Sequence, residues 1–169
     1  MKNLIVKGTQ AIWGNATFSI VHGCGGITKN KSEGDGSTPV GTFPFRCVFY
    51  RKDRIPEIET DLPLHILEKE DGWCDDVNDP LYNRYVKLPY SGRHEDLWRE
   101  DRLYDIIVVM GYNDDPVVPY KGSAIFVHLK PLAGKSTAGC IGLEKEVLVK
   151  VLKEATLESC LIVEAPLGA

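Results

Sequence analysis

At about 150 residues per domain, the 169 residues of the chain point to one domain, large enough to bury roughly 70% of its unfolded surface without disulfide staples. A hydrophobic fraction of 43% and a charged fraction of 26% are ordinary globular values, and no apolar run approaches the roughly 18 residues of a membrane span. The net charge of -4 argues against a dedicated nucleic-acid binder, which would normally be basic.

In chain order, short runs rich in β-branched and aromatic residues alternate with Gly and Pro, a pattern of strands joined by turns. Strands are expected at 3–7, 16–22, 45–50, 85–88, 106–111, 123–129 and 161–164. One convincing helix is expected over Glu144 to Ala155, where Val147, Leu148, Val151, Leu152 and Ala155 share a face. A weaker helix candidate covers His94 to Leu103. The fold class is therefore mainly β with one helix near the C-terminus, and no repeat or linker divides residues 1–169. Acids dominate Asp53 to Asp79 and lysines dominate Lys121 to Lys153; a solvated acidic face and a cation-recognising wall both fit the first stretch. Met1 to Gly14 holds only the short apolar run Leu4 to Val6, followed by Lys7, so no signal peptide is expected.

Cys24, Cys47, Cys74, Cys140 and Cys160 are odd in number and form no CxxC pair, which suggests neither a disulfide framework nor a zinc ribbon. Cys140 is twelve positions beyond His128, with Gly139 and Gly142 beside it. A nucleophilic thiol wants these surroundings: glycine for close approach, peptide N–H groups for an oxyanion, and an imidazole for its proton. The bland alternative is a core cysteine beside a tight turn. A neighbouring imidazolium and the start of the helix are expected to lower the thiol pKa below its reference of about 8.5. His22-Gly23-Cys24-Gly25-Gly26 is a local competitor, with its own thiol, histidine and glycines. The Gly-rich stretch Gly34 to Gly41 lacks the GK[ST] of a phosphate loop. Trp73 to Tyr85 lacks the spacing of a calcium loop.

Six collinear segments resemble the L,D-transpeptidase catalytic domain, also called YkuD. They are Glu33 to Phe43, Trp73 to Asp76, Tyr82 to Arg84, Gly111 to Asn113, Gly122 to His128, and Thr137-Ala138-Gly139-Cys140-Ile141-Gly142-Leu143. The resemblance implies a β-sandwich or flattened barrel acting on the stem peptides of peptidoglycan through an acyl-cysteine that carbapenems also form. It makes Cys140 the nucleophile and His128 the base, held by a nearby backbone carbonyl such as that of Leu129. The N–H groups of Gly139 and Cys140 become oxyanion donors, and Cys24 becomes a bystander. Substrate contacts are expected from Arg84 to a carboxylate, Asp75 or Asp76 to an ammonium, and Asn83 and Thr137 nearby, the alternative being that the polar groups brace their loop. No metal or organic cofactor is expected. The expected partner is the stem peptide in the cell envelope or periplasm, with no nucleic acid and no membrane span, and any immunity or delivery partner is left open.

The resemblance has two departures. Ala138 stands where the broad pattern has a second histidine, and the interval from His128 to Thr137 is short. Both leave open whether the acyl-enzyme passes to an amine, as in crosslinking or terminal exchange, or to water. The hydrolytic alternative, a carboxypeptidase or endopeptidase, fits a secreted antibacterial effector.

Overall fold

The structure, a computed structural model, describes residues 1–168. In chain order the elements are β1 (Leu4–Lys7), β2 (Gln10–Trp13), β3 (Ala16–Ser19), β4 (Ile27–Thr28), β5 (Thr38–Pro39), β6 (Gly41–Tyr50), β7 (Leu64–Ile66), β8 (Asp71–Cys74), β9 (Tyr85–Lys87), β10 (His94–Asp96), β11 (Ile106–Met110), β12 (Phe126–Leu129), β13 (Ile141–Leu143), α1 (Lys145–Glu154) and β14 (Cys160–Val163). The main sheet runs β13-β12-β11-β6-β14-β1-β2-β3, with β7 alongside β6. β6 is long enough to serve two neighbours on one side: its first half pairs with β14 and its second half with β7. Just past β3, Val21 bridges back to Gly142 of β13. Contact between the two ends of the strand order makes the sheet a nearly closed barrel, so few edges remain unpaired.

The central strands are buried on both faces. In β11, Ile106, Val108 and Met110 join one apolar cluster with Val127, Leu129, Ile141 and Leu143, while Ile107 and Val109 join a second with Phe126 and Cys140. This is the period of two of a pleated strand. It assigns Phe126, His128 and Cys140 to the face opposite α1, which packs Leu148, Val151 and Leu152 into the first cluster. Completely burying a Leu or Val side chain stabilises the fold by about 1.5–3 kcal/mol, so β12 and β13 rest on a fixed base.

The helix expected over His94 to Leu103 does not form. Glu95 and Asp96 pair with Trp73 and Gly72 in the small sheet β10-β8-β9. Beyond them, carbonyls that a helix would use internally are taken by two arginines from the turn after β6. Arg51 donates to the carbonyl of Arg99 at 2.9 Å, and Arg54 to those of Asp101 at 2.7 Å and Glu100 at 3.0 Å. Arg51 also lies 3.4 Å from the centre of the Trp98 ring. These tertiary bonds outweigh a helix propensity of tenths of a kcal/mol per residue. They hold the 97–104 segment against the face that carries Cys140.

Candidate active site

The parallel register of β12 and β13 sets Val127 beside Ile141 and His128 beside Gly142. Cys140 therefore lies diagonally from His128, two residues along and one strand across. With about 3.3 Å per residue and about 4.8 Å between strands, their backbones are about 8 Å apart on the same face, a gap the two side chains can span. The His128 Nδ1 lies 2.7 Å from the carbonyl oxygen of Leu129. A carbonyl only accepts, so Nδ1 carries the proton and Nε2 keeps its lone pair.

Cys140 is 7% exposed. Its Sγ accepts from the N–H of Phe126 at 3.3 Å and donates to the carbonyl of Ala124 at 3.2 Å. That carbonyl is aimed by a strained residue, since Ala124 has φ +53, a region that costs a non-glycine residue about 1–2 kcal/mol. Asn83 stabilises it: Asn83 Oδ1 accepts from the Ala124 N–H at 3.0 Å and from Trp73 Nε1 at 2.9 Å, while its Nδ2 donates to the carbonyls of Tyr112 and Asn113.

The turn before the thiol is clamped by two threonines. Thr137 Oγ1 accepts from the Gly139 N–H at 3.1 Å and donates to the Cys140 carbonyl at 2.6 Å, and Thr38 Oγ1 donates to the Gly139 carbonyl at 2.7 Å. Gly139 has φ +138, and a Cβ there would lie 2.8 Å from the Ser37 carbonyl oxygen, so only glycine fits. The Gly139 N–H, expected to face an oxyanion, is thus held by Thr137.

Electrostatics reverse one expectation. Burial pushes the Cys140 thiol up to about 12, helped by the nearby charge of Glu95. Burial also depresses His128 to about 4 despite the Leu129 carbonyl. Low dielectric disfavours the charged form of both groups, so at neutral pH the pair is thiol and neutral imidazole, and no imidazolium is present to lower the thiol.

A cavity of about 510 Å³ opens over this pair. Its lining includes Cys140, His128, Thr137 and Asp75, together with Lys31, Glu33, Glu95, Arg99, Tyr104 and Cys24. Asp75 pairs with Arg93 at 3.1 Å. The other expected substrate contacts lie outside this lining. Arg84 donates to the Asp114 carbonyl at 2.8 Å and shares with Asn83 the wall of a separate cavity of about 60 Å³. Asp76 accepts from the backbone N–H groups of Asn78 and Arg93. These three brace their loops. Conversely, Lys31, Glu33, Glu95, Arg99 and Tyr104 were not singled out from the sequence. Glu95, Arg99 and Tyr104 fall in or beside the stretch that patterns as a helix, and only the β8–β10 pairing turns it toward the cavity.

The fold and the cavity define a mainly β enzyme domain whose thiol and imidazole share one pocket. The chain belongs to the L,D-transpeptidase catalytic domain family (YkuD), which matches residues 3–163. No curated protein matches. Among solved structures, it is similar to the helical cell shape determining protein Pgp2 (K307A mutant) from Campylobacter jejuni, at 16% identity and a TM-score of 0.44. The match covers 98% of this chain and 48% of that one, so the chain spans about half the length of that protein. Among the described residues, no helix is long and apolar enough to cross a membrane.

Proposed function

We propose that the chain transfers the acyl group of a peptidoglycan stem peptide through a thioester on Cys140. The reading is carried by one observation: a buried thiol and a carbonyl-tethered neutral imidazole occupy one face of two adjacent strands at the wall of a charged cavity. As substrate enters, the thiol proton passes to His128 Nε2 and the sulfur attacks the carbonyl carbon of the third stem residue. The C–S bond forms, the carbonyl oxygen takes up the negative charge, and backbone N–H groups of the 139–140 turn stabilise it once Thr137 yields. His128, now protonated, donates to the departing terminal D-alanine amine as the C–N bond breaks. An incoming amine then attacks the thioester and gives up a proton to His128, which returns it to the leaving sulfur.

Because both resting groups are neutral, nucleophile formation is coupled to substrate entry and the free thiol stays protonated. Asp75 and Thr137 are the expected contacts that line the cavity, which supports reading Asp75, shared with Arg93, as the partner of a substrate ammonium. The reaction site is the cell envelope, where stem peptides occur.

Hydrolysis is the second reading. It is favoured by Ala138, whose small side chain lines the cavity and leaves room for water beside the thioester. An amine competes with water only if the protein holds it in place, since a well-oriented acceptor has a very large effective molarity. The test is mass spectrometry of products from a defined tetrapeptide muropeptide with increasing D-amino acid. Exchanged tetrapeptide supports transfer, tripeptide that persists at high acceptor supports hydrolysis, and unchanged substrate contradicts both.

A further inference from the structure

Among the described residues, the one side-chain hydrogen bond of His128 runs from Nδ1 to the Leu129 carbonyl. One such bond fixes one ring atom and leaves the ring plane free to swing. A general base has to bring its nitrogen within about 2.6–3.2 Å of the group it deprotonates, so something else must set that plane. Tyr104 is in contact: its ring meets the imidazole edge to face, with centroids 5.2 Å apart and planes at 63°.

Tyr104 is itself held on several sides. Its hydroxyl donates to the carboxylate of Glu95 on β10. Its ring meets Phe126 at 6.0 Å and 76°, and the Arg99 guanidinium lies 5.1 Å from the ring centre. The backbone closes the circuit, because the Leu129 N–H donates to the carbonyl of Leu103 at 3.0 Å. The residue that tethers the imidazole is thus bonded to the residue before Tyr104. Phe126, the other ring on Tyr104, supplies the N–H that reaches Cys140 Sγ. Burial holds the Tyr104 hydroxyl pKa well above its usual range, with the nearby Glu95 carboxylate adding to the effect, so the hydroxyl stays a donor at neutral pH.

We propose that Tyr104, anchored through its hydroxyl by Glu95, is a positioning residue for His128, setting the imidazole plane so that Nε2 faces the Cys140 thiol. The inference rests on the reading that Cys140 and His128 are the reactive pair. Tyr104 acts through His128 and transfers no proton itself. Glu95 acts one contact further out, as the acceptor that stops the tyrosine ring from turning.

The test is the rate of Cys140 alkylation by iodoacetamide at pH 7, followed by peptide mapping so that the other thiols are counted separately. No natural substrate is needed. A misplaced base forfeits part of the 10²–10⁴-fold that general-base help supplies, so Tyr104→Leu should slow alkylation about tenfold. In a cycle with His128→Ala, the double variant should be no slower than His128→Ala alone, since a residue that acts only through another shows complete coupling. Glu95→Gln, which still accepts the hydroxyl proton, should stay within about threefold of the parent, whereas Glu95→Ala and Tyr104→Phe should each lose about fivefold.

Additive effects of Tyr104→Leu and His128→Ala would overturn the proposal, as would a Glu95→Gln variant as slow as Glu95→Ala. If His128→Ala itself left alkylation unchanged, the reactive-pair reading would fail, which is a different result. Should Tyr104→Leu fail to fold by circular dichroism, the same cycle with Tyr104→Phe decides.

Discussion

Cys24 and Cys140 line the same cavity, each beside glycines, yet the fold treats them oppositely. Cys140 is buried, its sulfur held between the N–H of Phe126 and the carbonyl of Ala124. Cys24 is exposed, and its neighbour His22 turns Nδ1 to the Gly23 carbonyl, 3.0 Å away. The glycines also serve different ends. A Cβ at Gly23 would lie 2.2 Å from the Gly36 carbonyl and 3.0 Å from the Gly139 Cα, so that glycine lets the 21–24 segment close against the turn before Cys140. The segment is bonded there at Cys24 N–H to Thr137 O, 2.9 Å, and at Thr137 N–H to His22 O, 3.2 Å. Local chemistry made the two thiols look alike; what separates them is that β12 brings an imidazole beside one of them.

The largest expected effect breaks the comparison outright. Cys140→Ala should lower kcat/KM on a tetrapeptide substrate by at least about 10³-fold, as loss of a nucleophile does, while Cys24→Ser should stay within about threefold. A Cys24 variant that is folded but inert, beside an active Cys140 variant, would reverse the assignment.

The second concerns acid. His128 titrates near 4 in the fold against about 6.5 when unfolded. Its depressed folded value means the unfolded state binds the extra proton first. Stability is fully present above pH 6.5 and is lost as pH falls toward 4, by about 3 kcal/mol in all. Denaturant melts at pH 7 and pH 4 should show this slope, and His128→Asn should flatten it. By the same value, the imidazole remains a competent base down to about pH 5, so the acid limb of kcat/KM should fall below the limb of an ordinary histidine.

The third sharpens the contrast between the two glycine clusters. Gly139→Ala should cost about 3 kcal/mol, combining strain at positive φ with a steric clash, and should lower turnover. Gly26→Ala, at φ +85 with nothing within 4 Å of the added carbon, should cost only about 1 kcal/mol and leave turnover alone. Chemical denaturation of the two variants, with kcat/KM alongside, measures both differences.

How much was legible follows from which signals are local. β11 and β12 announce themselves as β-branched runs, α1 as a spaced apolar face, and the pairing of His128 with Cys140 as a motif. Of the small sheet, β9 was legible as the strand expected at 85–88, but β8 and β10 were not, because Asp71–Cys74 and His94–Asp96 are short and take their shape from each other. With that sheet went Glu95 and the segment carrying Arg99 and Tyr104. Arg84 and Asp76 looked like substrate contacts because their types suit a charged ligand, yet their hydrogen bonds go to the backbone. The direction of the thiol pKa was hidden for a similar reason. Burial decides it, and burial belongs to the packed second cluster around Phe126 rather than to the string Thr137-Ala138-Gly139-Cys140.

The central claim, that acyl transfer runs through Cys140 with His128 as its base, is tested most directly by trapping the intermediate. The protein is mixed with a tetrapeptide muropeptide, quenched in acid within the first turnover and analysed by intact mass and peptide mapping. The account predicts a tripeptidyl thioester on the peptide containing Cys140, accumulating more slowly in His128→Ala and absent in Cys140→Ala. A thioester on Cys24, or product formed by the Cys140→Ala variant at the parent rate, would contradict it.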